Sequence, residues 1–153
     1  MVNNVDQVDP REAQMLQMYL NEYGQQMEIL SQQLNLIEQQ RLESLGAVET
    51  LQALEQSDDG EVLLPIGGGA VVRVKVLDPG HVMVNIGADV VVERTSSDAV
   101  EYLQDRITEL DALGKKVAGS IEQVRGQVNE ISRRLEAVYR QRGQPPRPAQ
   151  GGQ

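Results

Sequence analysis

Hydrophobic residues return at alternating steps of three and four along the first third of the chain. They fall at Ala13, Leu16, Leu20, Tyr23, Met27, Leu30, Leu34, Ile37, Arg41, Ser44, Val48 and Leu51, and ten of these twelve positions are apolar. Gln, Glu and Asn fill most of the places between. A strict seven-residue repeat winds helices into a left-handed coiled coil, because the apolar seam must keep facing its partner. Asp9-Pro10-Arg11-Glu12 supplies a start. Asp9 can accept a backbone N–H as N-cap, Pro10 suits the first helical position, and Glu12 sits where a capping-box carboxylate reaches back. Ser57-Asp58-Asp59-Gly60 supplies the stop. The pattern predicts a helix over residues 9–56, roughly 70 Å long. Arg41 and Ser44 weaken its seam.

The last third repeats the pattern after Ser96-Ser97-Asp98, predicting a helix over 98–142. Its seam is Leu103, Ile107, Leu110, Gly114, Val117, Ile121, Val124, Val128, Ile131, Leu135 and Val138, with Gly114 the one exception among eleven. Leu16 to Glu55 is 39 steps, and so is Ala99 to Val138. Seams of equal length predict an antiparallel hairpin, with Leu16 beside Val138 at one end and Glu55 beside Ala99 at the other. Both chain termini then lie at the distal tip. Residues 1–8 read as a flexible N-terminus, and the Pro/Gly/Gln-rich tail 143–153 as disordered by composition.

Between the helices the period changes from seven to two. Val62, Leu64 and Ile66 share a face, as do Val72, Val74 and Val76, and Val82, Val84 and Ile86; Val90 and Val92 make a fourth run. Gly67-Gly68-Gly69, Asp78-Pro79-Gly80 and Gly87-Ala88-Asp89 separate them as turns. The reading is two β-hairpins over 61–94. The fold class is α+β, mainly α: a long antiparallel coiled-coil hairpin with two β-hairpins inserted between the helices. An isolated hairpin is marginally stable at best, and valine-rich free edges template aggregation. The strands are therefore expected to pair with those of other chains and join an intersubunit β-barrel.

Composition narrows the function. The four Tyr are the only aromatic residues, 3% of the chain. Such a chain fills a long aliphatic seam or shares a core with partners, which argues against a pocketed globular enzyme. Cysteine is absent and His81 is the only histidine, so neither a thiol nucleophile nor a histidine-rich metal site is available. A net charge of −9 disfavours nucleic acid, whose phosphates reward clustered Lys and Arg. No apolar run approaches the ~20 residues of a membrane helix. Met1–Pro10 lacks the basic and apolar regions of a signal peptide. A cytoplasmic protein with no cofactor, no nucleic acid and no membrane partner is expected.

Candidate sites reduce to one. Gly67-Gly68-Gly69 is followed by a strand and lacks the Lys-Ser/Thr of a phosphate loop, so it reads as a turn. His81 has no carboxylate at nucleophile or ligand spacing. Glu28, Glu38, Glu43, Glu49, Glu55, Glu101, Asp105, Glu109, Glu122, Glu130 and Glu136 fall outside the seams and read as a solvated face. The distal tip stands apart, because it carries more apolar residues than two facing helices bury. Contiguous exposed apolar surface marks interaction, and flexible Met suits many partners.

Leu64-Pro65-Ile66-Gly67-Gly68-Gly69-Ala70, Val82-Met83-Val84-Asn85-Ile86-Gly87-Ala88-Asp89, Val91-Val92-Glu93-Arg94-Thr95 and Ala99-Val100-Glu101-Tyr102-Leu103 together resemble the archaeal-type prefoldin alpha subunit. The resemblance covers one prefoldin-like domain over 9–142. It implies a chaperone of two alpha and four beta subunits that holds unfolded client proteins at its coiled-coil tips without ATP. Clients then pass to a group II chaperonin for folding. It also implies client contacts at Met15, Leu16, Met18, Tyr19, Val138 and Tyr139, and oligomer contacts along the four strands. The alternative is a coiled-coil scaffold or adaptor that binds one defined folded partner. An enzyme is not expected, since no nucleophile–base or ligand constellation is present.

Overall fold

A computed structural model describes residues 9–143. Helix α1 spans Pro10–Gln56 and α2 spans Ser96–Gly143. Between them run β1 (Glu61–Gly67), β2 (Ala70–Lys75), β3 (His81–Asn85) and β4 (Val91–Thr95). The expectations for residues 1–8 and for the tail beyond Gly143 lie outside the described residues. Every seam position named above is buried or half-buried, Arg41, Ser44 and Gly114 included. The chain forms two compact units, one from residues 9–34 with 116–143 and the other from Asn35–Lys115.

In the first unit, Ala13 and Leu16 pack with Leu135 and Val138, and Leu20 and Ile131 lie against them. The start of α1 therefore runs beside the end of α2, in antiparallel fashion. Asp9 caps α1, its Oδ1 accepting the Arg11 N–H at 2.9 Å. Glu12 does not reach back to complete a capping box. Its carboxylate takes the Arg134 guanidinium of α2 instead, since a charged partner outcompetes a neutral backbone N–H.

In the second unit, the seam break at Arg41 is filled by charge. Its guanidinium bonds Glu38 at 2.7 Å on its own helix, and its Nε lies 3.5 Å from Asp111 Oδ1 on α2. The bond from Arg41 holds the Glu38 carboxyl below the usual carboxylate range. The position trades apolar packing for a bridge between the helices.

The hairpins are two separate two-stranded antiparallel sheets, β1–β2 and β3–β4. Val62 faces Val74 and Leu64 faces Val72; Val84 faces Val92. Val76, Ile86 and Val90, expected within strands, lie just beyond them. They still extend the pairing, through the Val76 N–H to Gly60 C=O and the Ile86 N–H to Val90 C=O, each 2.9 Å. Gly67, Gly68 and Gly69 have φ of 109°, 60° and 79°, the left-handed region that glycine enters without steric cost. The triplet is the β1–β2 turn.

The α1–β1 connection is held by Asp59, whose Oδ1 accepts the Ser57 hydroxyl at 2.8 Å and the Glu61 N–H at 3.2 Å. These bonds, the Ser57 hydroxyl foremost, hold Asp59 below its ordinary 3.8. A carboxylate favoured in the folded state contributes stability above its ordinary range and loses that contribution as pH falls through the lowered folded value. This turn is expected to loosen on acidification below pH 3.8. Amide exchange at Gly60 and Glu61 across an acid titration measures it, and protection that stays flat would refute the assignment.

The β3–β4 turn places Ala88 and Asp89 at φ 49° and 59°. A non-glycine residue there costs about 1–2 kcal/mol, more for Ala than for Asp, whose side chain bonds locally. Glycine avoids that cost but loses about 0.5–1 kcal/mol in chain entropy. Ala88→Gly is expected to stabilise the hairpin by the difference, about 0.5–1 kcal/mol. A higher urea midpoint would show it, and a lower one would contradict it.

Helix α2 begins at Ser96, two residues before the expected Asp98. Thr95 rather than Ser97 or Asp98 provides the cap, its Oγ1 accepting the Asp98 N–H at 3.2 Å. Strand β4 thus runs straight into the helix. Ser96 is 3% exposed, and both its polar groups are satisfied by the turn before β3: its N–H bonds Gly80 C=O at 2.9 Å and its hydroxyl bonds Pro79 C=O at 2.6 Å. Arg94 lies over the Tyr102 ring, 5.4 Å from its centroid, which ties β4 to the first turns of α2.

Candidate functional site

The six side chains expected at the tip separate into three sets. Leu16 and Val138 are 8% and 4% exposed and belong to the seam cluster with Ala13 and Leu135. They are the seam pair of this end of the hairpin, and a client would meet them only at their rims. Both occupy repeat positions, and the facing helix covers such positions even close to its end.

Met15, Met18 and Tyr19 are exposed, at 50%, 58% and 41%. A helix turns about 100° per residue, so Tyr19 stands on one flank of the seam, Met15 behind it and Met18 on the outward face. The Glu12–Arg134 pair lies on that same flank. Tyr139 is also exposed, but five residues on from Arg134 it falls on the opposite flank. Among the described residues the tip presents a three-residue apolar strip on one side and Tyr139 on the other, where a single patch was expected.

Beside the strip is a slot of about 280 Å³ lined by Leu16, Tyr19, Tyr23, Glu130, Ile131 and Arg134. Tyr23 entered the sequence reading as a seam residue only, while Glu130 counted among the solvated carboxylates. Glu130 and Arg134 are one helical turn apart, and carrying the equal-length register across from Leu16–Val138 places Ile131 beside Tyr23. That projection was the available signal for the slot.

In the second unit every strand has one unpaired edge. Leu64 and Ile66 are exposed, and so are Leu63 and Val71 on the opposite face of the same hairpin. The run Val62-Leu63-Leu64-Pro65-Ile66 does not alternate, which is the pattern of a strand covered on both sides. The second hairpin differs, because Val84 is buried. It borders an open groove of about 680 Å³, lined among others by Ala47, Leu51, Ala99, Tyr102 and Leu103. His81, expected without a carboxylate partner, has Nδ1 2.9 Å from Asp78 Oδ2 and serves as a clasp on its own turn.

Residues 23–141 match the family described as prefoldin subunit. The chain belongs to the prefoldin family. It is 72% identical over 136 residues to prefoldin subunit alpha of Methanoculleus marisnigri, covering 89% of this chain and 91% of that one. It is 57% identical over 134 residues to the same subunit of Methanoregula boonei, covering 88% of each. Among solved structures, that of filamentous PFD from Methanocaldococcus jannaschii matches with a TM-score of 0.62 and 23% identity. The match covers 74% of this chain and 95% of that chain, and a likeness at this identity concerns the fold.

Prefoldin is a chaperone family and not an enzyme family. Two long helices with two antiparallel β-hairpins between them are the prefoldin arrangement. Among the described residues no helix is long and apolar enough to cross a membrane.

Proposed function

We propose that this prefoldin alpha chain is one subunit of an ATP-independent holdase that binds non-native proteins at its coiled-coil tip and keeps them from aggregating. The observation that carries this reading is the strip of Met15, Met18 and Tyr19, exposed beside a seam already filled by Leu16, Leu135 and Val138. These side chains add little to the chain's own packing, and two are methionines, which adapt to irregular apolar partners. Each contact with an unfolded segment contributes about 1 kcal/mol at ~25 cal/mol per Å². Several tips acting on one client convert weak contacts into useful avidity. Weak single contacts also let a client leave without nucleotide hydrolysis.

The same reading has the four strands completing intersubunit β-barrels with beta-type prefoldin subunits, two alpha with four beta, in the cytoplasm. The exposed apolar faces of β1–β2 and the free strand edges support it. A group II chaperonin would then receive the held client.

Light scattering tests the proposal as a chemically unfolded protein is diluted into the chain assembled with its beta-type partner. The comparison is an assembly lacking residues up to Leu20 and from Leu135 onward. Suppressed aggregation that trimming removes, with the complex intact, is the expected result. No suppression by the intact complex would overturn the holdase and favour a scaffold for one folded partner.

A further inference from the structure

Glu130 is the uncompensated charge of the tip slot. Arg134, one turn along on the same face of α2, gives its guanidinium to Glu12 across the seam. Glu122 on the same helix is paired with Arg125 at 2.8 Å. Among the described residues Glu130 has no ion pair. Its neighbours in the slot are Tyr19, Tyr23 and the Glu12-paired Arg134, over Leu16 and Ile131. Aromatic faces carry negative potential, so the slot combines two such rings, an unpaired carboxylate and an apolar floor.

That chemistry fits a long cationic side chain. The aliphatic stem of lysine or arginine lies along Leu16 and Ile131, and its charge reaches the tyrosine faces and Glu130. Arg134, the one arginine that lines the slot, is neutralised by its pair with Glu12. Arg11, Arg133 and Arg140 stand about half a turn from the seam, on outward faces. The charge elsewhere favours the same sign: residues 35–115 carry 15 acidic and six basic side chains and hence the whole net charge of −9, and the remainder carries eight of each. Such a field draws cationic segments to the protein.

We infer that the Tyr19–Tyr23–Glu130 slot selects unfolded segments in which a lysine or arginine lies next to apolar residues. The inference rests on the holding role proposed above and names the class of client that this tip prefers.

Fluorescence anisotropy on the full complex with its beta-type partner tests it. The probes are two unstructured labelled peptides with the same leucine pattern, one with lysine and one with glutamate at the places between. The lysine peptide is expected to bind about fivefold tighter, the scale of one exposed cation–π contact, with the preference shrinking as salt rises. Glu130→Gln should lower the preference at least twofold and Glu130→Lys should abolish it. Both substitutions fall on an exposed position, so folding is not at stake. Equal affinities, or a preference that Glu130→Gln leaves intact, would overturn the slot assignment while aggregation suppression continued. Failure of both peptides to bind, together with no suppression, would overturn the holding role and this inference with it.

Discussion

Serine at Met15, Met18 and Tyr19 together is expected to abolish aggregation suppression by the assembled protein, with helix content unchanged. The three side chains are exposed at 50%, 58% and 41%, so removing them leaves no cavity and disturbs no seam residue. If each contributes about 1 kcal/mol to a client contact, the loss at one tip is about a hundredfold in affinity. Avidity across tips compounds it. Tyr139→Ser, on the opposite flank, should cost far less, because a lone side chain lacks neighbours with which to bury a client segment. Light scattering of a diluted unfolded protein reads the first effect, and circular dichroism reads the second half of the claim. Full suppression by the triple variant would remove the strip from the mechanism.

Val84→Asp is expected to detach the second hairpin and prevent assembly. Val84 is 9% exposed and faces Val92 across the hairpin, in the groove that also includes the fully buried Ala99. A carboxylate there has no cationic partner in the groove except Arg106, which is itself exposed. An unpaired buried charge typically costs about 3 kcal/mol or more, which is most of what a small packed element contributes. The variant should elute apart from other prefoldin subunits on size exclusion and unfold at lower temperature. A complex of normal size and midpoint would show that the hairpin is held by its strand edges alone.

Glu12 and Glu130 show why the tip could be read only in part. Glu130 was legible as a polar position of a heptad repeat and Glu12 as a capping carboxylate. Which of them meets Arg134 depends on the azimuth of the facing helix, and a one-dimensional pattern carries no azimuth. The same limit explains Tyr139. Its distance from the seam in sequence is unremarkable, and only the turn of the helix puts it on the far flank from Tyr19. Leu16 and Val138 were legible as seam residues, because they recur at repeat positions that the facing helix covers.

The sequence by itself determined the helices, their antiparallel pairing and the two hairpins. These follow from periods of seven and two, glycine-bearing turns and equal seam lengths, all of which are properties of the chain read in order. The tertiary structure alone decided that α2 starts at Ser96, that Arg41 bridges to Asp111, that the tip has two unlike flanks, and that the first hairpin exposes apolar residues on both faces. Each of these turns on which of several adequate partners a group meets. That choice is made by distances between segments remote in sequence, where a charged acceptor or a closer carbonyl outcompetes the local one.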